Sequence, residues 1–131
     1  MAEKVGEIKQ REIDLLGLSV PTGTPIFCGR QNVCHMIAKH GSDYASFGHL
    51  LEEIILCPNY VSLHPSDGSI QYIKEIESVR KRVLVAVRIS VSGNYFARTL
   101  FIMSEEKWHH YKTKGYLKVY EDPEQGTVEL R

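Results

Sequence analysis

The period of the apolar residues changes midway along the chain. Tyr44, Phe47, Leu50, Leu51, Ile54 and Ile55 recur at the spacing of one helical face. Asp43 is placed to cap that helix, and Pro58 forbids its continuation. A shorter helix precedes it, with Asn32 as its cap and Gly41 as its stop just after His40. Upstream, Val20-Pro21-Thr22-Gly23-Thr24-Pro25 has turn composition and leads into a short strand, Ile26-Phe27-Cys28, ended by Gly29.

From residue 60 the pattern is extended. Strands are predicted at Tyr60–Leu63, Ile70–Glu77, Arg82–Val91 and Tyr95–Ile102, separated by His64-Pro65-Ser66-Asp67-Gly68, Ser78–Lys81 and Ser92-Gly93. Ser104-Glu105-Glu106 opens a last short helix through Tyr111, with a capping hydroxyl and two carboxylates at the positive end of the helix dipole. Residues 1–17 are mixed and poorly specified, and those after Tyr120 read as an acidic tail. Helices followed by a run of strands imply an α+β fold: N-terminal helices packed on a curved antiparallel sheet of about four strands, with one face or edge left free. The length of 131 residues suits a single domain with its core at roughly residues 21–115.

Taken as a two-residue hairpin, Ser92-Gly93 pairs Val91 with Asn94, Arg88 with Ala97 and Ala86 with Thr99. One face then collects Val83, Val85, Val87, Ile89, Phe96, Leu100 and Ile102 as core. The other collects Leu84, Ala86, Arg88, Ser90, Tyr95, Ala97, Thr99 and Phe101. Arg88 and Thr99 thus meet on a surface of small residues that suits a phosphate and a base, although Arg88 serves equally as a solvated charge. Arg98 falls on the core side, and it stays a candidate because a one-residue slip of register reverses every assignment.

Two histidines stand on the first helix. Successive residues step by roughly 100°, so His40 lies with Val33, Met36 and Ile37 on the inward side, while His35 and Lys39 point away. A cap at Asn32 puts His35 in the first turn and His40 in the last, where the dipole disfavours and favours the imidazolium respectively. One histidine is then suited to act as base and the other as acid. Histidines five residues apart do not converge on a metal as a pair four apart would, and no zincin-like spacing accompanies them, so no metal site is expected. Taken alone, the spacing favours a capping role for His40 and a surface role for His35.

Sixteen basic residues balance sixteen acidic ones, which excludes a global field for nucleic acid. The balance hides a local excess. Between residues 74 and 98 stand six basic residues, Lys74, Arg80, Lys81, Arg82, Arg88 and Arg98, against two acidic ones, Glu75 and Glu77. Three cysteines, Cys28, Cys34 and Cys57, in no paired spacing point to reduced thiols in the cytoplasm. The apolar runs at 83–87 and 100–103 are too short to span a membrane.

The ordered set His35-x-x-x-Lys39-His40-Gly41, an acidic helix ending in Cys57-Pro58-Asn59-Tyr60-Val61, Tyr72-Ile73-Lys74, Val85-Ala86-Val87-Arg88 and Phe96-Ala97-Arg98-Thr99-Leu100-Phe101 resembles the phage-associated nuclease domains of the barnase, EndoU, colicin and RelE-like superfamily. The resemblance runs from about Pro21 to Gly115. It implies an endoribonuclease that needs no cofactor or metal. The substrate's own 2′-hydroxyl is the nucleophile and leaves a 2′,3′-cyclic phosphate, so the protein supplies a base, an acid and cations.

On this resemblance His40 is the first candidate for acid or base and His35 the second. Lys74, Arg88 or Arg98 would neutralise the phosphate, and Thr99 and Tyr72 would bond or stack. Tyr60, Lys39 and the basic turn Arg80-Lys81-Arg82 would contact RNA. No carboxylate is secured as a base, Glu75 and Glu77 being open alternatives. The implied biology is a toxin or a phage or mobile-element effector acting on tRNA or mRNA, held in check by a dedicated inhibitor protein. The alternative is a catalytically inactive domain of the same fold that binds RNA or protein.

Overall fold

A computed structural model describes residues 2–120; the acidic segment after Tyr120 lies outside the described residues. In chain order the elements are β1 (Glu3–Ile8), α1 (Gln10–Leu16), β2 (Thr24–Cys28), α2 (Arg30–Phe47), a 3-10 turn (Gly48–Leu50) and α3 (Leu51–Leu56). There follow β3 (Tyr60–Leu63), β4 (Ile70–Ile76), β5 (Lys81–Ile89), β6 (Tyr95–Ile102), α4 (Glu105–Lys114) and β7 (Lys118–Val119).

The α+β class and the four successive strands agree with the sequence reading, but the sheet is larger and mixed. Seven strands run in the order β1-β2-β6-β5-β4-β3-β7. Every neighbouring pair is antiparallel except β2 and β6, which are parallel. The N-terminal segment, expected to be poorly specified, supplies an edge strand and a helix. Its strand is short, charged and interrupted by a register shift between Lys4 and Gly6, so no clean alternation marks it.

Helix boundaries also differ. Asn32 is not the cap: it sits in the first turn, and its Oδ1 accepts from the N–H of Gly29, the true cap, at 2.8 Å. Gly41 does not stop the helix. The chain breaks helical geometry at His40 (φ −142°, ψ 55°) and resumes to Phe47. Asp43, expected to cap the second helix, instead accepts from the backbone N–H of Ile102 at 3.0 Å. The reason lies in the sheet. β2 pairs with β6 only at Tyr95 and Phe96, which leaves the rest of that edge open. α2 packs along the open edge, burying Met36, and Asp43 satisfies one of its exposed donors.

The β5–β6 hairpin closes through three residues, not two. Ser90 N–H donates to Asn94 O at 2.8 Å, Gly93 N–H donates to Ser90 O at 3.0 Å, and Gly93 takes φ 91°. Arg88 therefore pairs with Phe96, not Ala97. The register then shifts at a bulge, Val87 facing Ala97 and Ala86 facing Thr99, with Arg98 as the extra residue.

Cross-strand rows sort the two faces. One face carries Val61, Tyr72, Val85 and Leu100 in a row, and it buries Ile8, Ile26, Met36, Ile54 and Ile55 beneath the N-terminal elements. Phe96 and Ile89, expected there, lie outside this core: Phe96 is half-buried and Ile89 is exposed. The opposite face carries the row Tyr60, Ile73, Leu84 and Phe101, covered by Trp108 and Tyr111 of α4. Ten residues of helix span about 15 Å, whereas seven strands spread over about 29 Å. α4 therefore covers only part of its face, and the next row, Ser62, Gln71, Ala86 and Thr99, borders an opening.

Candidate active site

That opening is a cleft of about 380 Å³. Its floor is Gln71 of β4, Ala86 of β5 and Thr99 of β6. Ala86 sits at the centre of the row, and its methyl group leaves a hollow between two polar neighbours. Arg88 and Arg98 project at one end, the second because the bulge turns it onto this side. The wall on α2 is His35, and the wall on α4 is Lys107, whose ammonium lies 5.2 Å from the centre of the Phe101 ring.

The third wall is the loop between β3 and β4. His64 Nδ1 accepts from the backbone N–H groups of Ser66 at 3.1 Å and Asp67 at 3.3 Å. In that tautomer the proton is on Nε2. The Asp67 carboxylate accepts from Ser69 N–H at 2.9 Å and lies 3.4 Å from His64 Nδ1 and 3.9 Å from Arg88 Nη1. The Ser69 hydrogen bonds, followed by the positive charge of His64 when it is protonated and of Arg88, hold its carboxyl below the ordinary 3.8. Around the cleft, three fixed cations, Arg88, Arg98 and Lys107, oppose one carboxylate, Asp67.

Of the residues singled out from sequence, His35, Arg88, Arg98 and Thr99 converge here. His40 does not line the cleft, but its ring packs 5.1 Å from that of Phe101, which does. Lys39 is exposed on α2 outside the cleft. Tyr72 lies on the other face, fully buried, and donates to the Glu12 carboxylate at 2.9 Å. Lys74 also belongs to that face and donates to the Cys57 carbonyl at the C-terminal end of α3 at 2.7 Å. Tyr60 packs edge-on against Trp108 at 5.1 Å, and burial pushes its hydroxyl pKa up.

The basic turn sits at the far end of β5. Arg82 stacks 3.9 Å over Trp108 and bridges Glu75 and Glu105, while Arg80 and Lys81 are exposed. Glu75 and Glu77 border that turn and not the cleft. Residues that the sequence reading missed are His64, Asp67, Gln71 and Lys107. The first two were hidden in a segment whose Pro, Ser, Asp and Gly composition announces only a turn. Gln71 was hidden in a strand that reads as core.

Among the described residues, no group of three or more His, Cys, Asp or Glu side chains is arranged to hold a metal ion. Among them also, no helix is long and apolar enough to cross a membrane. No curated protein and no solved structure matches the chain. The family described as phage-Barnase-EndoU-ColicinE5/D-RelE like nuclease 3 does match, over residues 3–110, a span that includes the sheet from β1 to β6 and every side chain named around the cleft. The chain thus belongs to this nuclease family.

Proposed function

We propose that the protein is an endoribonuclease that cleaves RNA by attack of the 2′-hydroxyl, using protein side chains alone. The observation that carries this reading is the convergence of two imidazoles, two guanidiniums, an ammonium and a hydroxyl on one open cleft. These are the groups that an internal transesterification requires: a base, an acid and donors around the phosphate.

In this mechanism His35 takes the proton of the 2′-hydroxyl as O2′ bonds to phosphorus. The bond from phosphorus to O5′ breaks, and His64 delivers a proton from Nε2 to the departing oxygen. A 2′,3′-cyclic phosphate and a 5′-hydroxyl result. The neutral ring accepts at Nδ1 from the N–H groups of Ser66 and Asp67; in the imidazolium that this role requires, Nδ1 is protonated and turns to the Asp67 carboxylate 3.4 Å away. Arg88, Arg98 and Lys107 neutralise the charge that grows on the phosphoryl oxygens, and Thr99 donates a hydrogen bond to one of them. His40 acts at one remove, by holding the Phe101 ring.

The test is incubation with total RNA in excess EDTA, followed by end analysis. Cyclic phosphate ends that form about 10²-fold more slowly with Arg98→Ala are the expected result. Protein of verified fold that leaves RNA intact would refute the reading and favour a silent binding domain. We further propose that the chain acts as a toxin or a phage or mobile-element effector. Its natural brake is an inhibitor with an acidic surface matched to the cationic rim, detectable as a co-purifying product of the native operon.

A further inference from the structure

Ser62 and Gln71 are 0% and 2% exposed, yet they lie on a sheet face that is otherwise apolar where α4 covers it. Burying a carboxamide costs free energy unless its donors and acceptor are used. Ser62 Oγ donates to Gln71 Oε1 at 2.7 Å, an arrangement that turns the Nε2 end of the amide away from Ser62. The Nε2 end carries two N–H groups. Gln71 lines the cleft, so these N–H groups are the donors it brings to that site.

Gln71, Ala86 and Thr99 are directly opposite one another on three adjacent strands. Two strand spacings separate Gln71 from Thr99, about 9.6 Å between Cα atoms, and only a methyl group rises between them. A planar ring fits over that methyl with one edge against Gln71.

We propose that Gln71 is the specificity-determining residue of the cleft: its buried amide N–H reads the carbonyl at C6 of a purine or C4 of a pyrimidine seated over Ala86, selecting guanine or uracil over adenine or cytosine, which carry an amino group at that position. With Oε1 engaged by Ser62, the residue presents its donor end to the cleft. A carbonyl satisfies it. The exocyclic amino group of adenine or cytosine sets donor against donor and leaves the amide unpaired, an asymmetry of about tenfold in affinity.

The inference rests on the ribonuclease reading for its biological meaning, but its test does not need cleavage. Guanosine, uridine, adenosine and cytidine 3′-monophosphates are titrated into the full chain, with the side-chain amide signals of Gln71 followed by NMR. Guanosine or uridine nucleotides should bind about tenfold more tightly than the amino-bearing pair and move those signals. Gln71→Leu should erase the difference. Ser62→Ala, which frees the amide to rotate, should relax it while preserving more of the packing. Equal affinities in the wild type, a preference that survives both substitutions, or no binding of any of the four overturns the inference. The two failures are distinguishable. Nucleotide discrimination without RNA cleavage removes the enzyme and keeps the base site, whereas cleavage with a preference indifferent to Gln71 does the reverse.

Discussion

Glu12 is the most heavily satisfied buried charge outside the cleft, and its replacement by alanine should unfold the scaffold before it touches chemistry. Its fully buried carboxylate accepts from Lys9 N–H at 3.0 Å, Tyr72 Oη at 2.9 Å and Tyr120 Oη at 2.6 Å, with Lys9 Nζ at 3.2 Å. Glu12→Ala strands two tyrosine hydroxyls together and takes the carboxylate from the Lys9 ammonium, which keeps its bond to the Ile55 carbonyl at 2.8 Å. Breaking a buried charged pair costs about 3–5 kcal/mol. With about 2.1 cal/mol/K of unfolding entropy per residue, 131 residues give about 0.28 kcal/mol/K, and hence a fall in Tm of roughly 11–18 °C. Tyr72→Phe removes one donor and leaves three, so about 1.5 kcal/mol is expected. Urea denaturation and calorimetry measure both. A Glu12→Ala loss below 1 kcal/mol, or loss of RNA affinity in a still folded Tyr72→Phe, would refute the assignment of this network to the scaffold.

The cleft makes its own demands. Arg98→Ala should lower kcat/KM on RNA about 10²-fold, as for removal of one oxyanion donor, whereas Arg80→Ala at the far turn should change it less than about threefold; equal effects would move the site. His35→Ala and His64→Ala should each cost about 10²–10⁴-fold, read as initial rates on a dinucleotide. His40→Ala should cost less than about tenfold in rate and about 1 kcal/mol in stability, for its packing on Phe101. Tyr72 and Tyr120 are both held neutral well above the ordinary 10, by burial first and by Glu12 next. Unfolded tyrosines ionise near pH 10 and these do not, so their contribution is full below pH 10 and is lost as pH rises toward the folded values. The urea midpoint should fall above pH 10, and less steeply in Tyr72→Phe.

The sequence disclosed what depends on local alternation and hid what depends on distant partners. The four central strands were legible because their apolar residues alternate between turn-rich segments. The pairing of Ala86 with Thr99 matches the expectation although the turn does not, because the extra loop residue and the bulge at Arg98 cancel. The parallel junction of β2 with β6 was not legible, because some seventy residues separate the partners Ile26 and Tyr95. His35 and Arg88 could be nominated from residue type, but the cleft that unites them needs the loop at His64 and the short reach of α4. Tyr72 was nominated through the resemblance of Tyr72-Ile73-Lys74, whereas in the sheet its parity places it on the face of Glu12.

Arg98 shows how the two levels interact. The loop through Gly93 has one residue more than the expected turn, and left alone it would set Ala86 against Arg98 and send Thr99 to the core side. The bulge absorbs that residue, returns Thr99 to Ala86, and adds a guanidinium to the same rim. If the bulge exists for the site and not for the register, deletion of Arg98 makes a direct test. A chain without it runs from Val87 paired with Ala97 straight to Ala86 paired with Thr99, an unbroken ladder with every apolar side chain on its present face. Such a protein should fold with a Tm within a few degrees of the wild type, since no core contact is lost. It should nonetheless lose activity on RNA to at least the extent of Arg98→Ala. Failure of the deletion to fold would mean that the bulge shapes the sheet itself, and that Arg98 reached the cleft as a consequence.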